Sequence, residues 1–332
     1  MIPIPVQALL LIATTLYQAL GCWRADQSPP PGQRFDVGGH RLHLHTAGSY
    51  KSGQPTIVLD HSLGGIEGYL LIEALSQLTR TCIYDRAGYG WSDRSRAPRT
   101  SRAIVAELDA LLTQAAIEPP YLLIGDSFGS YNVRLYAHQF PQKVAGIVLT
   151  DGLHERTMLQ LPWSLKALKL LFVSGFVMSV LGSMLGLIRL LSTCGVFELL
   201  KPELRHLPPT ALKAVKRSFC RPQHWITMAQ EMLALDQSGR QVQIAQDLGP
   251  VPIMSIKAQS FFKPSFWTRF IPLQRANQVR DHMHHDLAQL SPNWVELQAR
   301  HSGHFVWIDQ PEMIIEAVQI LLANPSNSPS AR

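Results

Sequence analysis

Charge is scarce in this chain of 332 residues: Asp, Glu, Lys and Arg make up only 16% of it, against 46% hydrophobic residues. That balance excludes a solvent-swollen disordered chain and supplies enough apolar material for one large core with an inserted subdomain. Cysteine is also sparse, with four residues (Cys22, Cys82, Cys194 and Cys220), no Cys-x-x-Cys and no Cys/His ligand spacing. No zinc site is therefore expected, and the redox compartment stays open. Lys/Arg clusters with interleaved aromatics are missing, which argues against nucleic acid as a partner. No metal or nucleotide motif and no internal repeat occurs, so no cofactor is expected. The net charge of +6 and pI near 9.2 suit an anionic lipid surface, and equally a mildly basic surface with no partner.

Mean hydropathy is +0.03, high for a cytosolic enzyme, and two stretches account for it. Residues 2–23 carry no charged side chain, and residues 6–20 are mostly apolar. About 20 helical residues cross a bilayer core, so residues 1–23 are long enough to do so. Three readings compete: an uncleaved membrane anchor, a signal peptide without the usual basic n-region, and a helix packed on the domain. The anchor is preferred, with the proline-rich residues 24–34 as a stiff linker. The expected location is a membrane surface, on an undetermined side because Arg24 is the lone flanking charge. The second stretch, residues 170–188, is uncharged and rich in Leu, Val, Met and Phe.

Between residues 35 and 323 strand-like and helix-like patterns alternate. Arg41 to His45 has the period of two of an antiparallel strand, whereas 56–60, 82–84, 122–124 and 144–150 are continuous apolar runs. Such runs fit parallel strands covered on both faces. Helical stretches fall near 66–78, 101–116 and 130–139, with later strands at 252–256 and 294–298 and a closing helix at 312–322. The expected fold is α/β: a doubly wound, mostly parallel sheet over 35–151 and 250–323, with a helical cap, 152–249, inserted after the sixth strand. The tail, 324–332, is expected to be disordered. A single membrane crossing at 170–188 would separate the last strand and helix from the rest of the sheet. That stretch is read instead as a greasy lid over an apolar substrate, or as packing inside the cap.

Gly125-Asp-Ser-Phe-Gly129 follows the apolar run 122–124 and precedes a helical stretch. G-x-S-x-G on a strand-to-helix turn pushes a serine hydroxyl out of a sharp bend, which makes Ser127 the candidate nucleophile. A serine needs an imidazole to take its proton. Of the 13 histidines, His304 is preferred, because it follows the last strand on a small-residue loop before the closing helix. His301 is the alternative.

These segments resemble the α/β-hydrolase fold superfamily, over roughly Phe35 to Leu322. The resemblance is carried by Leu59-Asp-His-Ser-Leu-Gly-Gly65, by Tyr84-Asp-Arg-Ala-Gly-Tyr-Gly-Trp-Ser-Asp93, by Gly125-Asp-Ser-Phe-Gly129 and by Ser302-Gly-His304. It implies an oxyanion hole from the backbone N–H groups of Leu63 and Phe128. His61 reads as a residue that structures its loop, and Asp85 and Arg86 as a pair that braces neighbouring loops. Asp126 stands where the family usually has histidine, and a negative charge there would raise the pKa of His304. The third member of the triad is expected at the end of the sixth strand, at Asp151, with Asp286 and Asp281 as alternatives. The implied activity is a serine hydrolase cleaving an ester, thioester or amide of an apolar acyl group through an acyl-enzyme. A serine nucleophile argues against epoxide hydrolase or dehalogenase chemistry, which needs a carboxylate. A membrane-attached scaffold with inert remnants, or an acyltransferase, remains the alternative.

Overall fold

The apolar runs of the sequence are buried at almost every position, as strands covered on both faces must be. The computed structural model describes residues 4–200, 204–205, 208–261 and 273–323. One eight-stranded sheet comprises β1 (Gln33–Asp36), β2 (Arg41–Ala47), β3 (Thr56–Asp60), β4 (Thr81–Asp85), β5 (Tyr121–Asp126), β6 (Val144–Thr150), β7 (Ile253–Ala258) and β8 (Trp294–Ala299). Their order is β1-β2-β4-β3-β5-β6-β7-β8. The pairs β1–β2 and β2–β4 are antiparallel, and every later pair is parallel. The short β1 spans Phe35, the residue at which the domain was expected to begin.

Helices cover both faces. On one side α3 (Ser101–Gln114) and α4 (Gly129–Gln139) bury Leu108, Leu111, Tyr131 and Leu135 with Leu42, Leu123 and Leu149 of the sheet. On the other, α2 (Gly68–Leu75) and the closing helix bury Leu71, Leu75, Ile314 and Val318 against Ile57, Ile124 and Ile256. Side chains alternate along a strand, so neighbouring residues such as Leu122 and Leu123 feed opposite cores.

The chain preceding the sheet forms α1 (Ile4–Asp26), which ends three residues past the expected anchor. Between β6 and β7 come α5 (Glu155–Leu159), α6 (Trp163–Met184), α7 (Leu187–Thr193), α8 (Val196–Leu200), α9 (Pro209–Phe219) and α10 (Pro222–Val242). After β7 follow α11 (Leu273–Leu287), α12 (Val306–Asp309) and α13 (Pro311–Ala323). The tail expected to be disordered lies outside the described residues.

Polar contacts dock α1 on these inserted helices. Gln18 is buried, donating to the Cys220 carbonyl (2.6 Å) and accepting from Arg189 Nε (2.8 Å). Gly186 joins α6 to α7 with φ +74°, and a Cβ there would lie 2.5 Å from the Thr14 carbonyl. Glycine therefore lets α1 approach at that point. Gly175, within α6, by contrast faces open space.

Candidate active site

Ser127 sits at the turn from β5 to α4 with φ +47°, a strained value for a residue with a side chain. Its N–H donates to the Thr150 carbonyl (3.0 Å), and its own carbonyl accepts from Ser130 Oγ (2.6 Å). The flanking glycines are required by space. A Cβ on Gly125 would lie 2.6 Å from Val133 Cγ2, and one on Gly129 would lie 2.4 Å from the Asp60 carbonyl. The sharp bend therefore exists because neither neighbour has a side chain.

The structure brings Ser127, His304 and Asp151 together from β5, the loop after β8 and the end of β6. His304 Nε2 is 2.9 Å from Ser127 Oγ, and His304 Nδ1 is 2.6 Å from Asp151 Oδ2. A carboxylate at Nδ1 favours the proton there and leaves the Nε2 lone pair to accept the serine O–H. The His304 N–H donates to the Phe261 carbonyl (3.2 Å), and the Phe261 ring stacks on the imidazole at 4.9 Å. These contacts fix the ring from outside the triad.

Asp151 also has positive φ (+40°), and its N–H donates to the Ile256 carbonyl (2.8 Å). Its Oδ1 accepts from the Ala258 N–H (3.2 Å) and faces His284 Nε2 at 3.2 Å. Burial works to raise its pKa, but hydrogen bonds and charge from His284 and His304 outweigh that and hold the carboxyl well below the usual range. Asp151 is therefore an anion throughout the neutral range. The alternatives are engaged elsewhere. Asp286 lies 3.5 Å from His154 Nδ1 and accepts from Thr157, while Asp281 pairs with Lys257 at 2.8 Å. His301 is exposed, and its N–H donates to Gln310.

His284 shares the otherwise polar helix α11 with His282 and His285, yet it is 1% exposed and turns into Asp151. The signal in the sequence, one histidine among three on α11, does not say which faces inward until the helix is docked.

Phe128 follows Ser127 in the turn, and among the described residues neither its N–H nor that of Leu63 donates to another protein group. The loop carrying Leu63 is held by Arg86. Its Nη1 donates to the His61 carbonyl (2.6 Å) and its Nη2 to the Ser62 carbonyl (2.7 Å). In a planar trans peptide the C=O and the next N–H point in opposite directions. Fixing the Ser62 carbonyl on Arg86 therefore turns the Leu63 N–H away from it. The expected Asp85–Arg86 pair is not formed, because the two groups diverge at the end of β4. Arg86 bonds Asp60 (2.7 Å) and, from α10, Glu231 (2.8 Å), whereas Asp85 accepts from Tyr69 (2.9 Å) and the Trp91 N–H (2.9 Å). His61 is held between Glu67 (3.0 Å) and the Tyr84 carbonyl (2.9 Å), and Ser62 Oγ donates to Glu67. His61 thus structures its loop.

Burial first, then the neighbouring Glu67 and Asp151 carboxylates, push the pKa of Asp126 well above the ordinary value, which disfavours a negative charge beside His304. An acid whose folded pKa exceeds its unfolded one stabilises fully below the unfolded value, near 3.9, and loses that contribution as pH rises through the folded value. Asp126→Asn should remove this dependence. The thermal midpoint of the wild type should fall relative to the variant as pH rises above the ordinary carboxylate range. Parallel melting curves across that range would refute the assignment.

The profile of the alpha/beta hydrolase fold matches residues 55–186. An AB hydrolase superfamily protein of Gibberella zeae is 25% identical over 264 residues, 72% of this chain and 77% of its own length. An uncharacterized vacuolar membrane protein of Saccharomyces cerevisiae is 34% identical over 116 residues, 32% of this chain and 18% of its own. The chain spans only 15 to 27% of the length of the first curated relatives it matches. The enol-lactonase of Burkholderia xenovorans superposes with a TM-score of 0.61 at 16% identity, covering 88% of this chain and all of its own, which is a likeness of fold. Sheet order, elbow and profile agree: the chain has the α/β-hydrolase fold.

Proposed function

We propose that the protein is a membrane-attached serine hydrolase that cleaves an ester, thioester or amide of an apolar acyl group through an acyl-enzyme. The observation that carries the reading is His304, hydrogen-bonded at once to Ser127 (2.9 Å) and Asp151 (2.6 Å). In the first half-reaction Ser127 Oγ attacks the acyl carbonyl while His304 Nε2 takes its proton. The Leu63 and Phe128 N–H groups hold the oxyanion, and Asp151 stabilises the imidazolium. Collapse of the intermediate breaks the bond to the leaving group, which takes the proton from His304. Water then repeats the sequence on the acyl-enzyme, with His304 as base, and releases the acid and free Ser127.

A membrane setting is supported by two 22-residue helical segments, Pro5–Asp26 and Trp163–Met184, long and apolar enough to cross a bilayer and each only 6% buried. Leu9, Ile12 and Leu16 of α1 and Leu170, Leu171 and Met178 of α6 stand exposed, so α6 is not interior packing of the cap. Contiguous apolar surface of this kind marks a lipid or partner face. The relative named as a vacuolar membrane protein agrees with that setting.

A fluorophosphonate probe tests the chemistry. Wild type should be labelled and Ser127→Ala should not; a folded wild type that stays unlabelled would favour an inert scaffold. The acyl preference is tested with p-nitrophenyl esters of increasing chain length. Long chains should give the higher kcat/KM, and faster turnover of acetate would count against an apolar substrate.

A further inference from the structure

Away from Ser127 and His304, a cavity of about 560 Å³ opens between the foot of α1, the loop after β4 and the helices α9 and α10. Its volume falls within the roughly 300–1,000 Å³ of small-molecule sites. Four guanidinium groups line it, from Arg34, Arg94, Arg217 and Arg221, against two carboxylates, Asp26 and Asp93. Four minus two leaves a formal surplus of two positive charges. A single oxygen, Asp26 Oδ1, accepts from both Arg217 (2.9 Å) and Arg221 (2.5 Å). Asp93 is likewise shared, by Arg34 at 3.4 Å and by Arg41 at 3.1 Å. Among the described residues the Nε atoms of Arg217 and Arg221 are buried without a hydrogen-bond partner. His224, also in the lining, adds no charge, since burial pulls its pKa down to about 3.

Arg217 Nη1 also donates to the Gly90 carbonyl (2.8 Å) and Arg221 Nη2 to the Cys22 carbonyl (3.4 Å). Guanidinium groups in surplus over carboxylates around a roomy cavity are suited to phosphate oxygens, which they bind in planar, paired geometry. The place in the fold narrows the source. Asp26 is the last residue of α1, so the cavity begins where the apolar helix ends, next to exposed Trp23 and to Arg24. Tryptophan and arginine flanking an apolar helix mark the headgroup level of a bilayer. We infer that this cavity binds the phosphate headgroup of an anionic lipid and seats the protein at the membrane surface. The inference rests on the membrane-attached reading of α1 and α6 and does not depend on the chemistry of Ser127.

The test compares the full-length chain on phosphatidylcholine vesicles with and without phosphatidic acid, read by co-flotation. Binding to neutral vesicles reports the apolar faces, and the additional binding to anionic vesicles reports the cavity. Each of Arg217→Gln and Arg221→Gln should reduce the anionic advantage roughly fivefold. Neutral-vesicle binding should persist in both. Asp26→Asn should enlarge the advantage, because it removes the carboxylate that neutralises both arginines. A seam that merely glued α1 to the cap would weaken in all three variants together, so the opposite sign of Asp26→Asn separates the two. An anionic advantage unchanged in the arginine variants would overturn the site and leave only general basicity. Competition by inorganic phosphate without any preference for phosphatidic acid would overturn the lipid as its source. Absence of binding to neutral vesicles would sink the membrane reading itself.

Discussion

His304→Ala is expected to lower kcat on any activated ester by roughly 10⁴- to 10⁶-fold, with a much smaller change in KM. In the proposed mechanism the imidazole contributes only after the substrate is seated, by taking the Ser127 proton and later giving it to the leaving group. Its removal therefore costs transition-state stabilisation rather than ground-state binding. The side chain is exposed enough, at 13%, and hydrogen-bonded at its edges rather than packed deep in the core, so the variant should remain folded. Non-additivity provides the sharper check. In the proposed mechanism Ser127, His304 and Asp151 act as one unit, so Ser127→Ala combined with His304→Ala should be barely slower than either alone. Losses that multiply would mean the two side chains act independently, and the triad reading would fail.

The second large effect is expected at Arg86 and Glu231. Arg86 is fully enclosed and bridges two carboxylates and two carbonyls, and Glu231 reaches it from α10 with both oxygens, at 2.8 Å each. Glu231 also accepts from Tyr89 Oη (2.9 Å), and Tyr89 Oη in turn accepts the Gly64 N–H (3.4 Å). The Ser62 and Gly64 flanks of Leu63 are thus both tied to one carboxylate in the cap. Arg86→Met would leave Asp60 and Glu231 buried without their counter-charge, a loss of about 3–5 kcal/mol of folding stability. Glu231→Gln keeps the shape and weakens both ties. The Leu63 amide should then wander from its aim, and kcat should drop on the order of 10²-fold, comparable to losing one oxyanion donor. Denaturant titration measures the first variant and single-turnover acylation the second. If Glu231→Gln acylates at the wild-type rate, the cap does not position that amide.

Much of this site can be read along the chain because its parts are local. Gly125, Ser127 and Gly129 fall within five residues, and an apolar strand before them and a helix after them are short-range patterns. His304 is recognisable from its small-residue loop between strand and helix. Asp151 required the family resemblance, since an aspartate after a strand caps a helix as readily as it serves a histidine. The partners of Arg86 were misread for a related reason. Adjacency in sequence suggested Asp85, yet neighbouring side chains at a strand end diverge, and the actual partners stand 26 and 145 residues away.

The amino-acid order alone determined the alternation of strands and helices, the nucleophile turn and the apolar character of the segments that became α1 and α6. Each of these follows from spacing within a few residues, where backbone geometry and periodic burial act directly. Only the folded chain decided that burial raises the pKa of Asp126, that His284 shares the Asp151 carboxylate with His304, and that a glutamate in the cap ties down the loop beside Ser127. Those outcomes depend on burial and on charge brought together across the sheet, and neither exists until distant segments meet.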